Sequence, residues 1–244
     1  MIRLNPVLAL CKKELRSWIF SPLFYGMAIF FTLFLSVWLY FFEAFFAMNN
    51  AGLAPFFRAF PLVYLPVIPG ITMKSWAEEK KSGTAELLFT LPVSELELCT
   101  GKFLSSFIVL LIYILLSLPV PLTLLPLGKF DTGIIITGYS GTILLGAFAL
   151  SLGQFCSGLS GNQPASYISA AAMLLILFFP DRFAMTLNFN PLATEFLNYL
   201  SLSFHFESFS RGLLDSRDLI FFAVGTVFFI FLNSKILVYG KQKI

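Results

Sequence analysis

Long stretches without a charged residue alternate with short polar segments along this chain. No Asp, Glu, Lys or Arg occurs in 17–42, in 103–128 or across the 49 residues of 132–180. About 20 consecutive apolar residues cross a bilayer as a helix, so the longest of these stretches can cross twice. The pattern predicts an all-α integral membrane protein with one transmembrane domain over 1–244 and six transmembrane helices, at 23–42, 56–73, 103–125, 134–157, 165–179 and 219–239.

The polar segment 74–102 is predicted to be folded. Lys74 to Lys81 favours helix, and Ser82-Gly83 breaks it. Thr84 is a good N-cap for a second short helix over 85–91, because its hydroxyl can accept a hydrogen bond from a free backbone N–H. Ser94-Glu95-Leu96-Glu97 has the form of a capping box, which predicts a third helix that continues into span three.

The N-terminal residues 5–18 predict an amphipathic helix lying along the membrane surface. Val7, Leu8, Leu10, Cys11 and Leu15 can share one side. The charged residues of the other side are Lys12, Lys13, Glu14 and Arg16. A helix of this type binds in the interface plane rather than across the bilayer.

The segment 181–217 mixes aromatic with polar residues, which predicts short helices that dip into the opposite interface. Its candidate gate residues are Phe196, Tyr199, Phe204, Phe206 and Phe209.

Small residues recur every fourth position in span four in two sets, Gly138, Thr142 and Gly146, and then Ala149, Gly153 and Ser157. Small residues allow helix backbones to approach closely in lipid. Two uses are open: packing against a neighbouring helix of the same chain, or a homodimer seam. In span two, Pro61, Pro66 and Pro69 predict a kinked or broken helix, which is tolerated in a membrane only against protein or water. Span two should therefore lie inside the bundle.

Six spans put both termini on one side of the membrane. On this map Arg58, Lys129, Arg182, Arg211 and Arg217 lie on the other side, and the remaining eleven Lys and Arg residues lie with the termini. Because Lys and Arg are enriched in cytoplasmic loops, the termini and the segment 74–102 are predicted to be cytoplasmic.

The composition and the missing motifs limit which kinds of partner and site the chain can be expected to have. The chain is 58% hydrophobic and 12% charged, and its net charge of +3 includes no basic block, so nucleic acid is not an expected partner. No GxxxxGK[ST], HExxH or GxSxG pattern occurs, and His205 is the only histidine. Cys11, Cys99 and Cys156 form no CxxC pair. We therefore expect no catalytic residue, no metal site and no cofactor in this chain, and an energy source that lies elsewhere.

The stretch 71–94, ITMKSWAEEKKSGTAELLFTLPVS, followed by Gly101-Lys102, resembles the hallmark of type-2 ABC transporter permeases, and most of all the gliding-motility GldF-like branch. The matching pattern is an acidic pair, a basic residue, Gly-Thr-x-Glu-x-Leu, Leu-Pro-Val-Ser and Gly-Lys. Further matches are KELR at 13–16, Ser21-Pro22, Asn162-Gln163, HFESFSRG at 205–212 and Arg217-Asp218. Lys74 departs from the pattern, since many relatives have arginine there.

The resemblance implies a bacterial cytoplasmic (inner) membrane protein with a cytoplasmic coupling helix and external gate helices. It also implies a dimer with a second copy or a paralogous permease, and two separate ABC ATPase subunits that bind ATP and magnesium. The coupling residues carried over are Lys74, Trp76, Glu78, Glu79, Lys80, Gly83, Thr84, Glu86 and Leu87. The lipid bilayer is a further expected partner, and a protein with a periplasmic domain is another candidate.

Two functions follow as hypotheses. The first is a permease subunit of an ATP-driven exporter, whose unidentified substrate would be apolar or amphipathic because the spans are aromatic and almost free of charge. The alternative is a membrane anchor that recruits an ATPase to a cell-envelope or motility complex without moving a substrate.

Overall fold

The computed structural model describes residues 4–42, 52–84, 93–124, 131–182 and 190–241. Within these ranges the regular structure is helical, and no strand occurs. The helices are α1 Leu4–Ile19, α2 Pro22–Val37 with a π-helical turn Trp38–Phe42, α3 Ala54–Arg58, α4 Phe60–Thr72, α5 Ala77–Lys81, α6 Glu95–Ser117, α7 Pro119–Leu122, α8 Thr132–Leu159, α9 Gln163–Phe178, α10 Pro191–Leu200, α11 Leu202–Ser210 and α12 Ser216–Lys241.

Five helical segments of the described residues are long and apolar enough to cross a membrane. They are Pro22–Phe42, Ala54–Lys81, Glu95–Leu122, Thr132–Leu159 and Ser216–Val238. Helix α9 is apolar too, but its 16 residues are fewer than the other five segments have. The chain is thus an all-helical, multi-pass membrane protein, and the crossing at 165–179 stays a prediction.

Helix α8 lies at the centre of the bundle and packs against α4, α6, α9, α11 and α12. Its small residues are what allow this packing. A Cβ atom on Gly138 would lie 2.5 Å from the Phe57 ring, and one on Gly153 would lie 2.5 Å from the Thr72 hydroxyl. The small-residue stripe is therefore occupied by α3 and α4 of the same chain, which is one of the two uses that the sequence allowed.

Two turns interrupt the proline-rich segment Ala54–Lys81, one near its start and one near its end. A turn at Ala59 separates α3 from α4, and residues 73–76 form a second turn before α5. This segment is also the most buried of the five, with 72% of its apolar window inside the bundle. Across that packing, the buried Tyr64 hydroxyl donates to the Thr142 carbonyl at 3.0 Å, so a helix weakened by prolines is tied to its neighbour.

Two sequence expectations need correction at helix ends. The helix predicted from Lys74 begins at Ala77, because residues 73–76 turn against α8 instead of continuing the helix. Span three was expected over 103–125, but α6 ends at Ser117 and a short helix Pro119–Leu122 follows. Proline removes a backbone donor, so the break before Pro119 has a local cause.

The segment near α5 and the segment 190–212 lie at opposite ends of α8. Ser157 of α8 contacts the turn before α5, and Thr137 of α8 donates to the Phe209 carbonyl of α11. These two positions are 20 residues apart, which is about 30 Å along a helix and matches the thickness of a bilayer core. The two segments are thus separated by about one membrane thickness.

Candidate functional site

The buried Lys102 ammonium joins three elements at one end of the bundle. Its Nζ lies 2.8 Å from Glu79 Oε1 of α5 and 3.1 Å from Glu14 Oε1 of α1. The Lys102 side chain is 2% exposed, and the two carboxylates are 12% and 21% exposed. One cation therefore connects the N-terminal helix, the charged segment and the start of α6. We call Lys102, Glu14 and Glu79 the lysine junction.

Local sequence explains why the junction forms. Gly101 lets α1 approach α6 closely, because a Cβ there would lie 3.0 Å from Leu10 Cδ2 and 3.2 Å from the Val7 carbonyl. The capping box predicted at the start of α6 is confirmed: the Glu97 N–H donates to Ser94 Oγ at 3.3 Å, and the Ser94 N–H donates to Glu97 Oε2 at 3.0 Å. These features fix the first turns of α6, and with them the position of Lys102.

Aromatic rings cover the cations beside the junction. Lys102 Nζ lies 4.8 Å from the centre of the Trp76 ring, and Lys74 Nζ lies 5.6 Å from the centre of the Trp18 ring. Lys74 Nζ also donates to Ser21 Oγ at 3.3 Å. Attraction between a cation and a ring face is stronger where water is excluded. Lys74 is thus engaged within its own chain.

The turn before α5 is attached to the end of α8. Ser157 Oγ accepts hydrogen bonds from the backbone N–H of Trp76 at 3.1 Å and of Ala77 at 3.2 Å. Lys80 Nζ donates to the Gly158 carbonyl. Ser157, predicted to be a helix-packing residue, therefore also acts as the cap that starts α5.

Burial shifts the pKa values of two charged groups that lie beyond the predicted end of span two. Burial raises the pKa of the Glu79 carboxyl, and the neighbouring Lys102 opposes that shift. Glu79 Oε2 is buried and has no hydrogen-bond partner among the described residues. Burial lowers the pKa of the Lys80 ammonium. The lysine junction thus holds the Lys102 ammonium and the Glu79 carboxylate largely away from water and within 2.8 Å of each other.

The predicted coupling residues divide into an inward and an outward group. Trp76 is 1% exposed and Glu79 pairs with Lys102. Glu79 is thus engaged within its own chain, and its contact with a partner ATPase stays a prediction. Glu78, Lys80, Gly83 and Thr84 are exposed. Glu86, Leu87 and the helix predicted over 85–91 lie outside the described residues.

Gly83 forms the turn that the sequence predicted. Its φ is +71°, a value that L side chains rarely adopt, and a Cβ there would meet no atom within 4 Å. The Ser82 hydroxyl and the Thr84 hydroxyl are 2.8 Å apart across this turn. The residues after α5 therefore form an ordered, outward-facing turn.

The N-terminal helix faces the junction with one acidic side chain. Glu14 is half-buried, whereas Lys12, Lys13 and Arg16 are exposed. Lys13 Nζ lies 4.0 Å from Glu14 Oε1. One side of this helix thus contributes the Glu14 carboxylate to the lysine junction, and the other side exposes three cations.

The predicted gate residues also divide. Phe196, Tyr199 and Phe204 are exposed, but Phe206 and Phe209 are buried in the core. Those two residues lie three positions apart on α11, and Phe209 packs against Gly141 of α8. Phe206 and Phe209 are core residues of this chain, and their role in an external gate stays a prediction.

A buried histidine beside them was missed. His205 Nδ1 lies 2.7 Å from Asp218 Oδ1 and Nε2 lies 3.0 Å from the Tyr199 carbonyl, and the ring stacks on Phe221 at 4.0 Å. A carbonyl can only accept, so Nε2 carries a proton and donates to it. The only earlier signal was that His205 and Asp218 both occur in the matching motifs, and nothing in the spacing paired them.

Within the described residues, no three His, Cys, Asp or Glu side chains come together as a metal site would need. No protein-family model matches the chain, and no curated protein matches it.

Proposed function

We propose that this chain is the membrane-spanning permease subunit of an ATP-driven exporter of the type-2 ABC class, with the turn after α5 as the docking surface for a separate ATPase. Two ATPase subunits and a second permease copy or paralogue would complete the complex in the bacterial cytoplasmic membrane. The resemblance of the motif at 71–94 with Gly101-Lys102 supports the family, and the positive-inside rule supports the side.

One structural observation supports this proposal more than any other. The buried groups Lys102 and Ser157 attach the charged segment to the helix bundle. On the side away from the bundle, the segment exposes charged residues and an ordered turn. A merely solvated loop would not need a buried ammonium and two backbone caps to fix it. A surface that must receive a force needs a rigid attachment to the helices that move.

The attachment also suggests how force would travel. A displacement of α5 would act on α1 and α6 through the lysine junction, and on α8 through Ser157 and Gly158. The contacts of Lys102 with Glu79 and of Ser157 with the backbone before α5 are short and shielded from water. We therefore infer that ATPase closure moves α1, α6 and α8 together, and that the exposed residues Glu78, Lys81 and Thr84 make the contact.

Site-specific photo-crosslinking tests the docking surface. A photo-reactive residue placed at Glu78 or Lys81 in cells should crosslink to a protein that carries a nucleotide-binding domain, identified by mass spectrometry. The same residue at Phe196, on the opposite end of the bundle, should not. Crosslinks to no ATPase at either position, or equal crosslinking from Phe196, would refute the proposal.

Variants at Gly83 and Glu86, compared with a control at Gly161, test whether this surface couples ATP hydrolysis to the permease. Gly83→Val would strain the turn at φ +71°, and reversal of Glu86 should act at the same surface, so both variants should lose the ATPase activity that the assembled complex shows while still inserting in the membrane. Gly161→Ala is the matched control, because Gly161 lies in open space at the same end without a positive φ. Full coupling in the Gly83 and Glu86 variants would contradict the proposal.

Reconstituted vesicles separate export from anchoring. ATPase activity that rises with added amphipathic substrate supports an exporter. Stable ATPase binding with no response to any substrate would instead support a membrane anchor.

A further inference from the structure

A cavity of about 420 Å³ lies at the end of the bundle opposite the lysine junction. It is bordered by the π-helical turn after α2, the start of α4, the end of α9 and α11. Apolar walls come from residues such as Trp38, Pro61 and Phe206. The cavity also contains acidic and basic groups, so its net charge depends on which of these are already paired.

The acidic groups of the cavity are paired. Asp181 Oδ2 lies 3.6 Å from Arg182 Nε, and its Oδ1 accepts a hydrogen bond from Ser201 at 2.7 Å. Glu207 pairs with Arg211. Arg58 also lines the cavity and has no ion pair within the described part of the chain. The charge left without a counter-ion is therefore positive.

Two further lining residues carry a buried polar atom without a partner. They are Trp38, whose indole Nε1 has no acceptor within the described residues, and Ser203, whose hydroxyl has no partner there. An indole N–H and a guanidinium can only donate, and a hydroxyl can donate as well. Buried polar groups are normally hydrogen-bonded, so the Trp38 indole and the Ser203 hydroxyl indicate a missing acceptor, and the exposed Arg58 lines the same cavity.

The shape of the chain at Trp38 supports a binding role. Residues 38–42 form a π-helical turn, a rare geometry that is frequently found at functional sites in other proteins. Trp38 is held there by stacking on Phe34 and Phe42, with ring centres 6.1 Å and 5.4 Å away. The indole is thus fixed in position before any ligand arrives.

We propose that this cavity binds the oxyanion of an acidic amphiphile, a phosphate-bearing lipid head group, through Arg58, Trp38 and Ser203. Arginine and oxyanions form strong charge-assisted hydrogen bonds, and the apolar walls accept the adjoining part of the lipid. The site is independent of any ATPase, so its test and the docking test fail or succeed separately.

Binding to lipid-stripped, full-length protein in neutral detergent tests the site, with titration calorimetry as the measurement. The probes are dihexanoyl phosphatidylglycerol, dihexanoyl phosphatidylcholine and inorganic phosphate. The anionic lipid should bind saturably and at least about tenfold more tightly than the other two. Equal affinity of the two lipids, or of lipid and inorganic phosphate, would overturn the proposal.

Variants locate the site. Arg58→Gln should weaken phosphatidylglycerol binding by about tenfold or more, and Ser203→Ala by a smaller factor. Arg217→Gln is the charge-matched control, because Arg217 is an exposed arginine that does not line this cavity. Thermal unfolding of each variant shows whether it is folded. If Arg58→Gln does not fold, Ser203→Ala alone tests the site. Equal loss in the Arg58 and Arg217 variants, or no loss in a folded Arg58 or Ser203 variant, would refute the assignment.

Discussion

Replacing Lys102 with Met should destabilise the protein strongly. Methionine keeps most of the length and the apolar contact with Trp76, so the substitution removes the charge with little change in volume. It leaves Glu79 buried beside an apolar side chain, and its second carboxylate oxygen already has no partner within the described residues. The expected loss is therefore the penalty of an uncompensated buried charge.

The geometry sets the size of that loss. Breaking a buried ion pair by removing one partner typically costs about 3–5 kcal/mol. The pair with Glu79 belongs in this class, because the two side chains are 2% and 12% exposed. The pair with Glu14 is more exposed and adds at most about 1 kcal/mol. For a chain of this size the sum corresponds to a fall of about 6–24 °C in the unfolding temperature.

The assay can use the protein's own cysteines. Cys11, Cys99 and Cys156 are buried, so a thiol-reactive fluorescent maleimide reports their exposure as the protein unfolds in detergent. Lys13→Met is the matched control, because that side chain is 66% exposed and 4.0 Å from Glu14. Its unfolding temperature should stay within about 4 °C of the wild type, since exposed pairs contribute about 0–1 kcal/mol.

Two further measurements identify the cause. Adding Glu79→Gln to Lys102→Met should restore more than half of the lost stability, because it removes the uncompensated charge. A carboxyl whose pKa is raised in the folded state favours folding when protonated, so stability rises as pH falls through that raised value. Loss of Lys102 raises the pKa of Glu79 further, so the defect should shrink as the pH is lowered from neutral. A Lys102→Met protein as stable as the control, or a double variant with no recovery, would refute this reasoning.

Ser157→Ala should lower stability by about 1–3 kcal/mol, because two buried backbone N–H groups lose their acceptor, whereas Ser160→Ala should be close to neutral in the same melt. Gly146→Leu places a side chain where a Cβ already lies 2.3 Å from a neighbouring leucine, so reduced yield of folded protein in size-exclusion chromatography is expected, and a monodisperse variant of wild-type stability would contradict the packing. His205→Phe should cost about 3–5 kcal/mol by stranding buried Asp218, and Asp218→Asn in that background should recover part of it in chemical unfolding; no recovery would show that the pair is not coupled.

The sequence by itself determined the features that depend on neighbouring residues. Apolar stretches, the capping box at Ser94 and the turn at Gly83 are set by local hydration, backbone hydrogen bonds and steric freedom. The amphipathic character of 5–18 and the α4 prolines belong to the same class. Each signal lies within a few residues along the chain, so no knowledge of the fold was needed to interpret it.

Only the tertiary structure decided which side chains face one another. Lys102 stood in a matching motif, but its burial between α1 and α5 depends on how closely those helices approach. The pairing of Glu79 with that lysine and the packing of Phe209 against α8 depend in the same way on neighbouring helices. A charge or a ring on a helix can serve a solvent face or a buried contact, and the difference is set by whichever helix packs beside it.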